Sequence, residues 1–268
     1  MVCDSDGLAS SRGMSKMRVL HLVVILSALT LVVGCVAPQT TERRQSSFNK
    51  RDLVTSGVNV LPTESVVKTT SLFGGNEQRM YEYEEYIENI ITDEVRSAFK
   101  EKGYQVDVLS KGYLHQEKLS AQFLRLKENY ASKMPELYSQ YLMPVEAAFS
   151  IKSNIGQSTI KFAEGKKYLV ICDYQMSSQT NGARVSGIAL QVLTGIRFTD
   201  QSDTFSMTIG IVDNETGDIV WTNTTNIAYG MFNGLMITTN ANAEEADRKH
   251  IKWIVGKILE PLFNTKEQ

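Results

Sequence analysis

The sequence predicts an α/β fold: a three-layer-like domain with a mixed sheet, a βαβ start and a C-terminal β-hairpin and helix. Three observations predict it. Residues 57–109 read strand, helix, strand, for which parallel pairing is the default. Lys167–Met176 is apolar on both faces, since Tyr168, Val170, Cys172, Tyr174 and Met176 alternate with Leu169 and Ile171, so it reads as a central strand covered on both sides. Thr204–Tyr229 alternates as a hairpin, and an amphipathic helix follows it.

At the start of the chain, residues 1–13 carry Asp4 and Asp6 and no apolar run, so Met14 or Met17 is the natural first residue. Lys16 and Arg18 then precede Val19–Val33, an apolar run shorter than the ~20 residues of a spanning helix. The order of positive segment, apolar core and small residues reads as a secretory signal peptide over 1–34. Val32-Val33-Gly34-Cys35 resembles the lipobox of bacterial lipoproteins, and the resemblance implies a lipidated (palmitate-bearing) Cys35 at the head of the mature chain. Val36 in place of aspartate after that cysteine implies, by the same resemblance in a Gram-negative cell, the inner leaflet of the outer membrane, facing the periplasm. Two or three acyl chains, at about 0.8 kcal/mol per methylene, hold a protein on a bilayer almost permanently.

Residues 36–55 are polar and weakly periodic, so 35–55 reads as lipidated cysteine and flexible tether, and 56–268 as a single periplasmic α/β domain. Gly57–Pro62 alternates as a first strand, and Thr63–Gln78 with Phe73-Gly74-Gly75 as a loop. From Arg79 to Lys102, Met80, Tyr83, Ile87, Ile90, Ile91, Val95, Ala98 and Phe99 recur at helical spacing, with Glu82, Glu85 and Glu88 on the other face and Gly103 ending the helix. Tyr104–Leu109 alternates as the second strand. Leu114–Phe149 has helical period, and Pro135 and Pro144 divide it into shorter helices.

After the central strand, Gly182–Arg197 places Val185, Ile188, Val192, Leu193 and Ile196 at helical spacing among small residues. With two glycines in it, its intrinsic helix propensity is weak by about 1 kcal/mol for each. It reads either as a core-facing segment or as a surface for a membrane or second subunit. In the hairpin, Phe205, Met207, Ile209 and Ile211 alternate, and Asp213–Gly217 supplies the turn. Met231 and Phe232 head an apolar stretch in the loop 230–240, which either folds back on the core or forms a patch for a partner or bilayer. Asn242 and Glu245 form a capping-box-like pair before the stripe of Ile251, Ile254, Val255, Ile258, Leu259 and Leu262.

The run Ile211-Val212-Asp213 through Thr216-Gly217-Asp218-Ile219-Val220-Trp221 is similar to a hairpin of curli-secretion-channel-type and related lipoproteins. The resemblance extends to a first strand ending in proline, the helix and Gly103-Tyr104, and it implies an envelope component linked to secretion. The pair of ten-residue alternating strands that a lipid-facing barrel requires is not found here.

Function classes fall away on composition. The formal net charge is −2 and no long basic block occurs, which argues against nucleic acid. Of three cysteines, Cys3 precedes the natural start, Cys35 is the lipid site and Cys172 is left alone among apolar neighbours as a buried thiol. No spacing of histidine, cysteine or acidic residues fits a metal, and no cofactor is expected. Gly165-Lys166 lacks the phosphate-loop glycine at Ile160, and Ser186 lies between Arg184 and Ile188 where a nucleophile elbow needs glycines. Carboxylate pairs such as Glu84 and Glu85, or Asp200 and Asp203, read as solvated surface charge. The expectation is a non-enzymatic interaction or assembly component of the cell envelope, binding the bilayer through Cys35 and envelope proteins or its own copies. The alternative is a small-ligand or glycan-binding domain, or a degenerate hydrolase, using loops at strand ends.

Overall fold

The structure, a computed structural model, describes residues 40–70, 77–138, 148–149, 153–179, 204–228 and 241–264. In chain order these form β1 (Thr40–Gln45), α1 (Lys50–Ser56), β2 (Val58–Val60), β3 (Glu64–Thr70), β4 (Gln78–Arg79), α2 (Tyr81–Glu101), β5 (Val106–Val108), α3 (Lys111–Gln116), α4 (Ser120–Tyr138) and β6 (Ala148–Phe149). A short 3-10 helix (Gln157–Phe162), β7 (Tyr168–Gln179), β8 (Thr204–Asp213), β9 (Ile219–Ala228) and α5 (Ala241–Phe263) complete them. The strands make one mixed sheet, so the α/β class holds.

β7 is its axis. Along one edge it carries β2 and then β3, both parallel to it; along the other it carries β8, antiparallel, followed by β9, β1 and β6. β2 and β5 pair in parallel around α2, which is the expected βαβ unit. The side chains of β7 divide as their alternation requires. Tyr168, Val170, Cys172, Tyr174 and Met176 join a core with α2 and α5, while Leu169 and Ile171 join a second core with α3, α4 and the 3-10 helix. The apolar stripe of α5 packs into the first core with every member at most 1% exposed.

Local chemistry explains the element ends. Gly103 closes α2 at φ 82°, and Gly217 closes the β8–β9 turn at φ 75°, where a Cβ would also come within 2.5 Å of the Gly156 carbonyl oxygen. Asp213 Oδ1 accepts from the Glu215 N–H at 2.9 Å in the same turn, which is turn chemistry rather than a ligand site.

Three expectations need correction. The tether of 35–55 ends early: from Thr40 the chain is β1 and α1. β1 pairs with β9 over five residues, and its Glu42 accepts from the Trp221 Nε1–H at 2.7 Å. The supposed loop after β2 contains β3, which pairs with β7 over seven residues and, on its other side, with β4 at Lys68 and Thr69 alone. Pro135 does not break α4, which runs on to Tyr138, because it sits in the last turn.

Candidate functional site

The chemistry-bearing residues of the described chain gather at a notch in the sheet edge. β2 stops at Val60 and pairing with β7 resumes at Glu64, so Leu61, Pro62 and Thr63 stand opposite Ile171 and Cys172. The extra residue is a bulge, and Pro62, having no N–H, suits it. β5 accompanies β2 only to Val108, and β4 pairs only with Lys68 and Thr69. Among the described residues no strand pairs with the outer edge of β3 from Glu64 to Val67.

Two glutamates of α2 take that place. The Ser65 N–H donates to Glu88 Oε1 at 2.9 Å and the Val67 N–H to Glu84 Oε1 at 2.8 Å. Glu84 and Glu88 are 5% and 8% exposed, so the reading of Glu84 and Glu88 as solvent-facing charge is overturned. Buried carboxylates need counter-charges. Arg79 Nε lies 2.8 Å from Glu84 Oε1, and Lys111 Nζ 2.5 Å from Glu88 Oε2. Glu84 and Glu88 are four apart and flank Ile87 on the buried side of the helix, a placement that only the packing of α2 on β3 reveals.

On the other face of the same notch, Glu64 and Asp173 are register partners, and the Lys127 ammonium donates to Asp173 Oδ1 and, at 2.5 Å, to the Cys172 carbonyl. Burial pushes the Glu64 carboxyl up, Lys127 opposes that, and Asp173 and Glu88 add to it. Beside the notch, at the carboxyl ends of β2 and β5, lies a cleft of about 450 Å³ lined by Thr63, Glu88, Asn89, Thr92, Ser110 and Lys111 among others. Crevices at the carboxyl ends of parallel strands are the usual ligand position in α/β sheets. The groups on offer are hydroxyls, an amide, the Glu88–Lys111 ion pair and the carboxylates of Glu85 and Asp93, beside the apolar Pro62, Val108 and Leu109.

Cys35, Val185, Ile188, Val192, Leu193, Ile196, Met231 and Phe232 are outside the described residues, as are Phe73, Gly74, Gly75 and the pair Asp200 and Asp203. The strands nevertheless fix where their connections begin. Ser177 pairs with Thr204 and Thr204 with Ala228, so the connections 180–203 and 229–240 start from one end of the sheet. Cys172 is fully buried and its thiol is pushed up to about 12 by burial, which makes it inert. Among the described residues no three histidine, cysteine, aspartate or glutamate side chains stand close enough to share a metal, and no helix is long and apolar enough to cross a membrane.

Asp247 was not anticipated. It is 1% exposed at the α2–α5 contact and accepts from the Tyr83 hydroxyl at 3.3 Å. Burial pushes its carboxyl up from 3.8 to about 6, against the opposing hydrogen bonds of Tyr83 and Tyr86. A raised folded value means that the group's contribution is complete below the unfolded pKa and is lost as pH rises through about 6. Asp247→Asn is therefore expected to leave stability near wild type at pH 4 and to raise it by about 1–3 kcal/mol at pH 8. Urea midpoints at the two pH values measure this; an equal shift at both would mean that Asp247 is not the titrating group.

Together these features define the class: a mixed α/β domain with helices on both faces and a polar notch at its parallel edge. No protein-family model and no curated protein matches the sequence. Among solved structures, the chain is similar to a PelC dodecamer from Paraburkholderia phytofirmans, at 8% identity and a TM-score of 0.37, over 86% of this chain and 100% of that one. It is also similar to XCC0632 of Xanthomonas campestris, a DUF330 protein, at 10% identity and a TM-score of 0.32, over 76% and 85%. Likenesses of that size leave the function to be argued from this chain's own residues.

Proposed function

We propose that this chain is a lipid-anchored lipoprotein of the cell envelope whose α/β domain acts without catalysis, as an interaction or assembly component facing the periplasm. The observation that carries the reading is topological. The two segments richest in unexplained apolar residues, 182–197 and 231–237, belong to connections that attach at one end of the sheet, on the consecutive strands β7, β8 and β9. A lipobox-like Cys35 at the head of the same domain supports a membrane setting, and partners there are met in two dimensions. Self-association or an envelope protein is the partner of that surface.

The test is the mass of the membrane-extracted protein in mild detergent, by size-exclusion chromatography with light scattering. A complex larger than one chain is expected. Val192→Asp combined with Leu193→Asp is expected to reduce it to a monomer without lowering the unfolding midpoint; loss of folding would instead assign the segment to the core.

A second reading, a periplasmic domain for a small polar ligand or glycan, is favoured by the cleft of about 450 Å³ beside Glu88 and Lys111. A monomer before and after the substitutions, with Lys111→Ala abolishing ligand binding, would favour it.

A further inference from the structure

We infer that the end of the sheet where β1 begins and where β3, β7 and β9 end faces the lipid bilayer. The inference rests on the lipid-anchor reading of Cys35 and adds an orientation to it. Only Val36, Ala37, Pro38 and Gln39 separate Cys35 from Thr40, where β1 begins. Five peptide steps span at most about 18 Å. β1 is not a loose lead-in, because Thr40 through Arg44 pair with Thr225 through Trp221 of β9. An acyl chain on Cys35 therefore holds Thr40, and with it the Thr225 end of β9, close to the headgroups.

Sheet register carries that end across the domain. Thr225 lies three residues before Ala228, which pairs with Thr204; Thr204 pairs with Ser177, and Gln179 pairs with Thr70. Beyond Thr70, the pairing of Thr69 with Gln78 and Lys68 with Arg79 brings the start of α2 to the same end. There Tyr81 is 68% exposed, with the Arg79 guanidinium 5.0 Å above its ring. An exposed tyrosine, with its amphipathic ring, is the residue type that settles at the headgroup level. The opposite end carries the β8–β9 turn with exposed Glu215, about 33 Å away along the ten residues of β8.

The experiment uses the full-length protein purified from membranes, with Tyr81→Cys or Glu215→Cys carrying a fluorophore; Cys172 is buried and does not compete for the label. Each is reconstituted into phosphatidylethanolamine–phosphatidylglycerol vesicles containing a lipid with a shallow nitroxide quencher, and the mass of the N-terminal fragment reports acylation. The label at 81 is expected to lose most of its fluorescence, and the label at 215 to keep its own. Equal quenching at both positions, or none at 81 in protein whose Cys35 is acylated, overturns the orientation while the anchor stands. An unmodified Cys35 overturns the anchor and the orientation with it.

Discussion

Gly210→Ala is expected to destabilise the domain by about 2–4 kcal/mol, although alanine is otherwise the better strand residue. Gly210 lies at the middle of β8, opposite Ile171 on one side and Thr222 on the other. A Cβ there would meet the Tyr130 hydroxyl oxygen at 2.1 Å and two ring carbons at 2.6 Å. Tyr130 has no room to yield. It is fully buried, comes from the middle of α4, and its hydroxyl lies 3.0 Å from Thr222 Oγ1, to which Tyr138 also donates at 3.2 Å. Accommodating the methyl shifts α4 off the sheet or breaks the hydroxyl pair, at about 1 kcal/mol for the hydrogen bond beyond the overpacking cost. Urea denaturation measures the loss. Tyr130→Leu in the Gly210→Ala background should cost less than the sum of the two single changes, because it removes the clashing ring. A Gly210→Ala midpoint equal to wild type would mean that α4 does not lie over β8.

That glycine shows how far the sequence can be read. Tyr130 was legible as one of several residues at helical spacing, and Gly210 as a strand position, but nothing local links them across the chain. The elements that were legible carry their cause within themselves: the alternation of Tyr168–Met176, the stripe of Ile251–Leu262 and the turn at Gly217 all took their expected places. β1 was not legible, because Thr40–Gln45 is polar and becomes a strand through its partners, β9 and the indole of Trp221. The notch was hidden for the same reason. Glu84 and Glu88 look like solvated charge until the bulge at Leu61–Thr63 and the short β4 and β5 leave an edge of β3 for them to complete. The polar site is thus a product of tertiary pairing, and the apolar core a product of periodicity.

Lys127→Ala is expected to cost about 2–4 kcal/mol at pH 7.5 and clearly less at pH 4.5. Lys127 is 5% exposed and reaches from α4 across the second core to Asp173 and the Cys172 carbonyl. Removing one partner of a buried pair leaves the other charge without compensation, at about 3–5 kcal/mol, and the lower range holds here because the Asp173 side chain is 26% exposed. The pH dependence follows from Glu64, the register partner of Asp173. Burial already raises its carboxyl, and Lys127 is the foremost of the charges that oppose the rise, ahead of Lys111. A raised folded pKa is a contribution lost as pH increases, so without Lys127 the Glu64 carboxylate meets Asp173 at neutral pH with less opposing charge, and protonation of Glu64 relieves the contact in acid. Asp173→Asn in the Lys127→Ala background should recover part of the loss at pH 7.5 and little at pH 4.5. Urea midpoints of the four proteins at both pH values form the cycle. A coupling of zero between positions 127 and 173 would mean that the ammonium serves only the Cys172 carbonyl. A loss of equal size at both pH values would remove Glu64 from the account, and leave the bulge at Leu61–Thr63 as what the lysine is there to support.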